Sequence, residues 1–361
     1  ELASPEKRNI FINVLGKSDP LIKDALQTIL QRSAQQPAET NKSNISPLPS
    51  HFSTLNDYDF SVVDKLIAKS ERSLTDLKNE IKNKSGAELI NFILEDIQQL
   101  KTSLSDPESF GVIMTGMNAA TWLNEKMFEW LGEKNAADKL SQSVPNNITS
   151  AMGLALLDVS DAMRPYPEVI EYLNHVNSDD FLQDMQTIAG GRLAKEAIEG
   201  FLNKYGMRCV GEIDITKPRW SEKPSTLVPL ILSNIKNFKP GESKRKFESG
   251  LREALDKRQD LLKRLKELPD GDQKEKEASR MIDLVRNLGG YREYPKYSMV
   301  TRYFVYKQAL LKEAERLVAS RVLETSEDII FLRLIEIREI GYGNRSNTEL
   351  IEKRKEDYKR F

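Results

Sequence analysis

Several familiar chemistries are excluded by what the chain lacks. It has a single cysteine, Cys209, so no disulfide can form within it, which fits a reducing, cytoplasmic compartment. Its two histidines, His51 and His175, lie far apart, and neither has a second ligand at metal spacing. No metal site is therefore expected. Basic and acidic residues nearly cancel, 54 against 55, for a net charge of −1. A general nucleic-acid binder would carry a basic excess, so none is expected as a partner. No run of about 18 apolar residues exists, so no membrane span is expected. There is no GxxxxGK[ST] loop to cradle a phosphate, no GxGxxG after a strand and no GxSxG elbow. The opening "ELASPEKRNIFINVLG" has neither a signal peptide's long apolar run nor an initiating Met, and reads as cut from something longer.

What is present is helical periodicity. "SDPLIKDALQTILQRS" offers Asp19 as a helix N-cap with Pro20 at the first helical position. The stretch 34–57, rich in proline and small polar residues, reads as a loop or linker. Apolar residues then recur every three or four positions from Phe60 to Ile81, with Ser85-Gly86 as a stop, and Ala87–Leu104 forms the second arm of a hairpin. Asp106-Pro107 starts another helix. Its continuation through Trp130, rich in Met, Gly and Ala, is apolar over most of its circumference, as expected of a helix that is buried or lines a cavity. Charged segments Glu242–Leu268 and Gln273–Leu288 predict a long solvated helical hairpin turning at "PDGD". Two stretches leave room for short strands: "VGEIDIT" within the irregular segment Tyr205–Pro224, and "EDIIFLRLIEIREI". The expected fold is mainly α, a multi-helix domain of antiparallel hairpins with irregular loops.

Among candidate sites, Cys209 beside Arg208 would favour thiolate, although a lone Cys is more often a small apolar packing residue. Glu212 and Asp214 alternate, so in a strand they would share a face and hold a cation, Arg208 or Arg219. The helix from Gly111 to Trp130 supplies adaptable methionines, which suit either a core or a bulky ligand. The densest signal is "YREYPKYSMVTRYF". Five of the chain's 11 tyrosines lie between Tyr291 and Tyr306, with Arg292, Lys296, Arg302 and Lys307 threaded among them. Pro295 is expected to keep Arg292–Lys296 out of a regular helix. Arg and Lys held on such a loop suit phosphate, and cation–π packing at a helix start explains the same residues equally well.

Three long stretches, "GMRCVGEIDITKPRWSEKP", "MGLALLDVSDAMRPYPEVIEYL" and "GGYREYPKYSMVTRYFVYKQALLKEAERL", resemble the central domain of rifampicin phosphotransferases, relatives of phosphoenolpyruvate synthase and pyruvate phosphate dikinase. The resemblance runs over essentially the whole chain, 1–361. It implies a rifampicin-binding domain that works with an ATP-grasp domain and a phosphohistidine-bearing swivelling domain of the same polypeptide. It further implies transfer of a phosphoryl group from ATP, with Mg, to a hydroxyl of rifampicin or a related ansamycin. This chain carries no ATP-grasp motif and no Gly/Ser/Thr-rich histidine loop, so no cofactor is expected in this fragment and no activity from it alone. It also starts after the opening segment of the family's domain, which leaves the pocket incomplete. By resemblance, Arg292 and Lys296 face the incoming phosphoryl group, and the tyrosines around them support the loop. Met114, Met117 and Trp122 are expected to line the antibiotic pocket. An acceptor other than rifampicin, or a non-catalytic helical scaffold, are the alternatives.

Overall fold

The computed structural model describes residues 58–343 and 346–360. The helix expected after Asp19, the linker 34–57 and His51 lie outside these residues. Among the described residues the secondary structure is helical throughout, with no strand. None of these helices is long and apolar enough to cross a membrane.

Local chemistry explains where the helices begin and end. Helices α1 (Ser61–Ile81) and α2 (Gly86–Leu104) form the first hairpin. Helix α3 (Pro107–Leu131) starts as its cap-and-proline pair predicts: the Asp106 carboxylate accepts a bond from the Glu108 N–H, and Pro107 occupies the first turn. It stops at Gly132 in the left-handed conformation, φ 68°. Short α4 (Ala136–Leu140) leads to α5 (Ile148–Met163), α6 (Pro167–Asn174), α7 (Phe181–Asp184), α8 (Gly191–Tyr205) and α9 (Val228–Asn237). The arginine of "AMRPYP" has a structural task here. Arg164 donates to the carbonyls of Ile235 at 2.7 Å, Asn234 at 3.1 Å and Phe238 at 2.7 Å, satisfying the exposed end of α9. The charged hairpin is α10 (Glu242–Lys266) and α11 (Gly271–Leu288), and α12 (Tyr294–Ala319), α13 (Leu334–Gly341) and α14 (Thr348–Lys359) complete the chain.

Three expectations are corrected. "EDIIF" forms a 3-10 turn, Ser326–Phe331, closed by a capping box between Thr325 and Asp328, and not a strand. "VGEIDIT" is also not a strand, and the described residues hold no strand to pair with it; the segment folds back on itself as a compact loop. Ser221 N–H bonds to Gly206 C=O at 2.9 Å and Trp220 N–H to Arg208 C=O at 3.0 Å, so the loop closes at its own neck. Fully buried Arg219 fills the interior, donating to the Asp214 carbonyl at 3.2 Å and to Cys209 Sγ at 3.1 Å. Finally, Pro295 does not hold its neighbours out of a helix. It sits in the first turn of α12, where the missing N–H has no intrahelical acceptor to lose and the fixed φ is already helical.

The helices bury three apolar clusters. One joins α1, α3, α4, α10 and α11 around Leu123, Met127 and Ile282. A second joins the end of α1 to α2, α12 and α13 around Ile90, Ile93 and Met299. The third lies among α5 to α9, around Met163, Ile198 and Ile231. Tyr291 and Tyr294 belong to the first cluster, Tyr297 packs against the first and the third, and Tyr303 and Tyr306 belong to the second. The tyrosine-rich stretch is therefore where the three cores meet.

Candidate functional site

The site is built on the entry to α12. A 3-10 turn, Gly289–Glu293, carries Arg292, and the first turn of α12 carries Lys296. Gly290 lets this turn lie against the loop before α5, since a Cβ there would sit 2.0 Å from the Pro145 carbonyl oxygen and 2.8 Å from the Asn147 nitrogen. On the other side Gly116 of α3 packs against Leu288 and Gly289.

The four cations of the stretch divide into two kinds. Arg302 and Lys307 are buried and fully engaged: Arg302 with Asp96, Lys307 with Glu222 at 2.7 Å and the Lys217 carbonyl at 3.1 Å. Arg292 and Lys296 reach solvent, with side chains 61% and 50% exposed. Their partners differ. Arg292 pairs with its neighbour Glu293 at 3.1 Å, while Lys296 Nζ lies 3.0 Å from Glu212 Oε1. The Glu212 side chain is only 7% exposed, and its other oxygen accepts from Arg208 Nε at 2.5 Å. Burial pushes the Glu212 carboxyl up, but the hydrogen bonds from Arg208 and Lys296 outweigh it and hold the group below the ordinary carboxylate value. Glu212 is thus an anion beneath a half-exposed ammonium. The Glu212–Asp214 pair expected to bind Arg208 or Arg219 does so in part. Glu212 takes Arg208, while the Asp214 carboxylate accepts from the Thr216 N–H and hydroxyl, and its backbone carbonyl takes Arg219.

The tyrosines are neutral supports. The hydroxyls of Tyr291 and Ser109 bond at 3.0 Å, Tyr294 donates to Glu71 at 3.3 Å, and Tyr297 donates to the Lys204 carbonyl at 3.3 Å. Burial raises the Tyr291, Tyr294 and Tyr297 hydroxyls above their ordinary value, so none ionises near neutrality.

Tyr294 and Tyr297, on either side of Pro295-Lys296, line an 890 Å³ cavity together with Ile67, Asn146, Gly153 and Lys204. A larger cavity, 1210 Å³, lies further along α12 near Phe304 and Gln308; Arg292 and Lys296 line neither cavity. The residues expected to line a pocket on α3 lie outside these two cavities. Met117 is 45% exposed, Met114 is half-buried, and the Trp122 ring meets that of Trp130 edge-on at 5.6 Å. None of the three lines a described cavity. Helix α3 is not buried all round either: Val112, Gly116, Ala119, Leu123 and Met127 face the core, while Phe110, Met117 and Phe128 face out. His175 is exposed at the end of α6, where Nδ1 lies 2.9 Å from the Glu171 carbonyl oxygen. Cys209 engages Arg219 within the loop. Among the described residues no group of three or more His, Cys, Asp or Glu converges as a metal site.

Arg292 and Lys296 stand out in the sequence, whereas the contact between Lys296 and a buried carboxylate does not. The acidic alternation at Glu212 was visible; its meeting with Lys296 was not. The Asn146–Gly153 wall gave no signal of its own.

Residues 108–293 match the family described as "Rifampicin phosphotransferase fourth domain". A rifampicin phosphotransferase of Bacillus cereus is 54% identical over 100% of this chain and 42% of its own length. Proteins of the same name from Bacillus subtilis and Streptomyces sviceus are 54% and 47% identical, over 99% and 100% of this chain and again 42% of theirs. The chain thus spans less than half the length of the curated relatives it matches.

Proposed function

Since the chain belongs to the rifampicin phosphotransferase family, we propose that it is the acceptor-binding part of an ATP-dependent, cytoplasmic phosphotransferase that places a phosphoryl group on a hydroxyl of rifampicin. The remaining domains of the same polypeptide would take the phosphoryl group from ATP, with Mg, and deliver it on a histidine. At this site the N–P bond to that histidine breaks, its electron pair returning to the nitrogen, while an O–P bond to the acceptor forms and the hydroxyl proton leaves, to be balanced by protonation of the freed histidine. The net balance is ATP, rifampicin and water to AMP, phosphorifampicin and phosphate.

The observation that supports this reading is a pair of solvent-reaching cations, Arg292 and Lys296, at the entry to α12, whose chain neighbours Tyr294 and Tyr297 line a large cavity. The 890 Å³ cleft has the size of a site for a bulky ligand, and its tyrosines flank Lys296 in the chain. Arg292 and Lys296 then stabilise charge on the phosphoryl group in flight, the Arg as a planar fork and the Lys as a point charge. In this reading Met114, Met117 and Trp122 form the α3 side of the acceptor site. Gly116, between the two methionines, touches Gly289 of the turn that bears Arg292, so their segment adjoins the phosphate end.

In the complete enzyme, Arg292→Ala and Lys296→Ala should each lower kcat by about 10²–10³-fold, the usual loss for one preorganised charge donor. Unchanged turnover in both would overturn the phosphate-facing assignment. Calorimetry with rifampicin tests the acceptor: binding should weaken in Tyr297→Ala, and a full-length protein that fails to bind rifampicin would favour another acceptor.

A further inference from the structure

Lys296 is half exposed, on a four-carbon stem with many rotamers, yet its ammonium is held at one point, 3.0 Å from Glu212 Oε1. A flexible cation of this kind contributes to a transition state only if something fixes it beforehand. We propose that Glu212 is the positioning residue for Lys296, and that the Gly206–Ser221 loop exists at this point of the fold to present it. The inference rests on the reading of Lys296 as phosphoryl-facing.

Three features support it. First, Glu212 is buried and its carboxylate is shared between two cations, so its position is fixed while that of Lys296 is not. Second, the neighbouring Gly211 has φ +76°, a backbone turn that swings the Glu212 side chain inward while Val210, just before it, is 92% exposed. Third, the Arg208–Glu212 pair is poorly arranged for stability alone. Arg208 Nη1 is buried with no hydrogen-bond partner. A buried ion pair with an unsatisfied donor is a weak stabiliser, and replacing it by apolar residues would often be neutral. Its geometry makes sense if Arg208 keeps Glu212 anionic, so that Glu212 can hold Lys296. Glu212 touches neither phosphate nor acceptor in this role; it acts through the lysine.

The test is a double-mutant cycle in the full-length enzyme. Glu212→Gln keeps the size of the side chain and removes the charge. It should lower kcat by about 10–100-fold, as small misplacements of a reacting group do, and leave KM for rifampicin unchanged. In the Lys296→Ala background the same substitution should cost almost nothing more, because its effect passes through the lysine. A purely structural role would instead lower both backgrounds equally, and that outcome overturns the proposal. So does normal kcat in a folded Glu212→Gln enzyme. Should Glu212→Gln fail to fold, Glu212→Asp decides: it keeps the charge, shortens the reach by one methylene, and should lower kcat only when Lys296 is present. The two readings fail differently. Normal turnover in Lys296→Ala removes the phosphate role itself, whereas a slow Lys296→Ala with a normal Glu212→Gln removes only the positioning role.

Discussion

Helix α12 carries two arginine–carboxylate clusters in which charges from distant segments meet, and they differ in one telling respect. In the interior, Arg302 grips Asp96 of α2 with two nitrogens, at 2.7 and 3.1 Å, and its third donates to Ser73 at 3.1 Å. Tyr306 donates to the same carboxylate. Every arm of the guanidinium is used, and Arg302, Asp96 and Tyr306 are all buried. At the start of α12, Glu212 joins Arg208 and Lys296, but one Arg208 nitrogen is left without a partner and the lysine is half exposed. A closed, satisfied network fixes helix against helix, whereas one with an unsatisfied donor and a solvent-reaching cation is of the kind that also occurs at functional sites. The first cluster serves the architecture, and the second is the one that the proposed phosphoryl-facing role of Lys296 would use.

Removal of Asp96 gives the sharpest test of the architectural half. Asp96→Ala leaves Arg302 buried and uncompensated, which should cost about 3–5 kcal/mol of stability. Urea denaturation would show it as a lower midpoint. A loss no greater than that of Glu212→Gln would erase the distinction between the clusters. Tyr306→Phe should be milder, since it removes one bond of the network and leaves the ion pair.

The next largest effect belongs to the turn that links the two regions. Gly290→Ala would place a methyl carbon 2.0 Å from the Pro145 oxygen, which is backbone and can only move as a unit. Overpacking of this kind costs about 1–3 kcal/mol. Because Pro145 and Asn147 line the 890 Å³ cleft, the same change should weaken acceptor binding, which a distant substitution of equal cost would not do. Calorimetry beside thermal melting separates the two effects.

Much of this fold was legible in the sequence because helix ends are local. Asp106-Pro107, the "PDGD" turn and the apolar spacing from Phe60 to Ile81 each announce an element within a few residues. What the sequence hid was long-range. Arg292, Lys296, Arg302 and Lys307 look alike in a row, and only packing divides them, by bringing Asp96 to Arg302 across 206 positions and Glu212 to Lys296. Pro295 misled because the same ring that breaks a helix interior is at home in a first turn. The alternation of "VGEIDIT" suggested a strand, but a strand needs a neighbour, and the segment satisfies its backbone by closing on its own neck. Gly211 was the available clue to that loop, being a glycine at a left-handed position.

Gly211 therefore supplies a smaller test, one aimed at the open cluster alone. Its φ of +76° disfavours any side chain, although the space around it is free, with Lys217 Cγ at 3.8 Å as the nearest contact. Gly211→Ala should cost about 1–2 kcal/mol through backbone strain. Stability should fall only slightly in a protein of this size, while turnover falls further if the turn aims Glu212 at Lys296. Equal, small changes in both would mean that the loop tolerates a different path with the lysine still in place.

The smallest effect, and the most specific to charge, is the acid limb of the stability curve. The Glu212 carboxyl titrates below its ordinary value in the folded protein, so the unfolded chain binds the proton more readily. Its contribution is present in full above the unfolded value, about 4.3 for glutamate. It is lost as pH falls through the lowered folded value. The gap in melting temperature between the parent and Glu212→Gln should accordingly be widest near neutrality and close in acid. Glu336, bound by Arg354 and held at about 2, gives the contrast far from the site, since its contribution should persist further into acid. A Glu212→Gln gap that stays constant with pH would mean that the carboxylate matters for its shape and not for its charge, and the open cluster would then resemble the closed one.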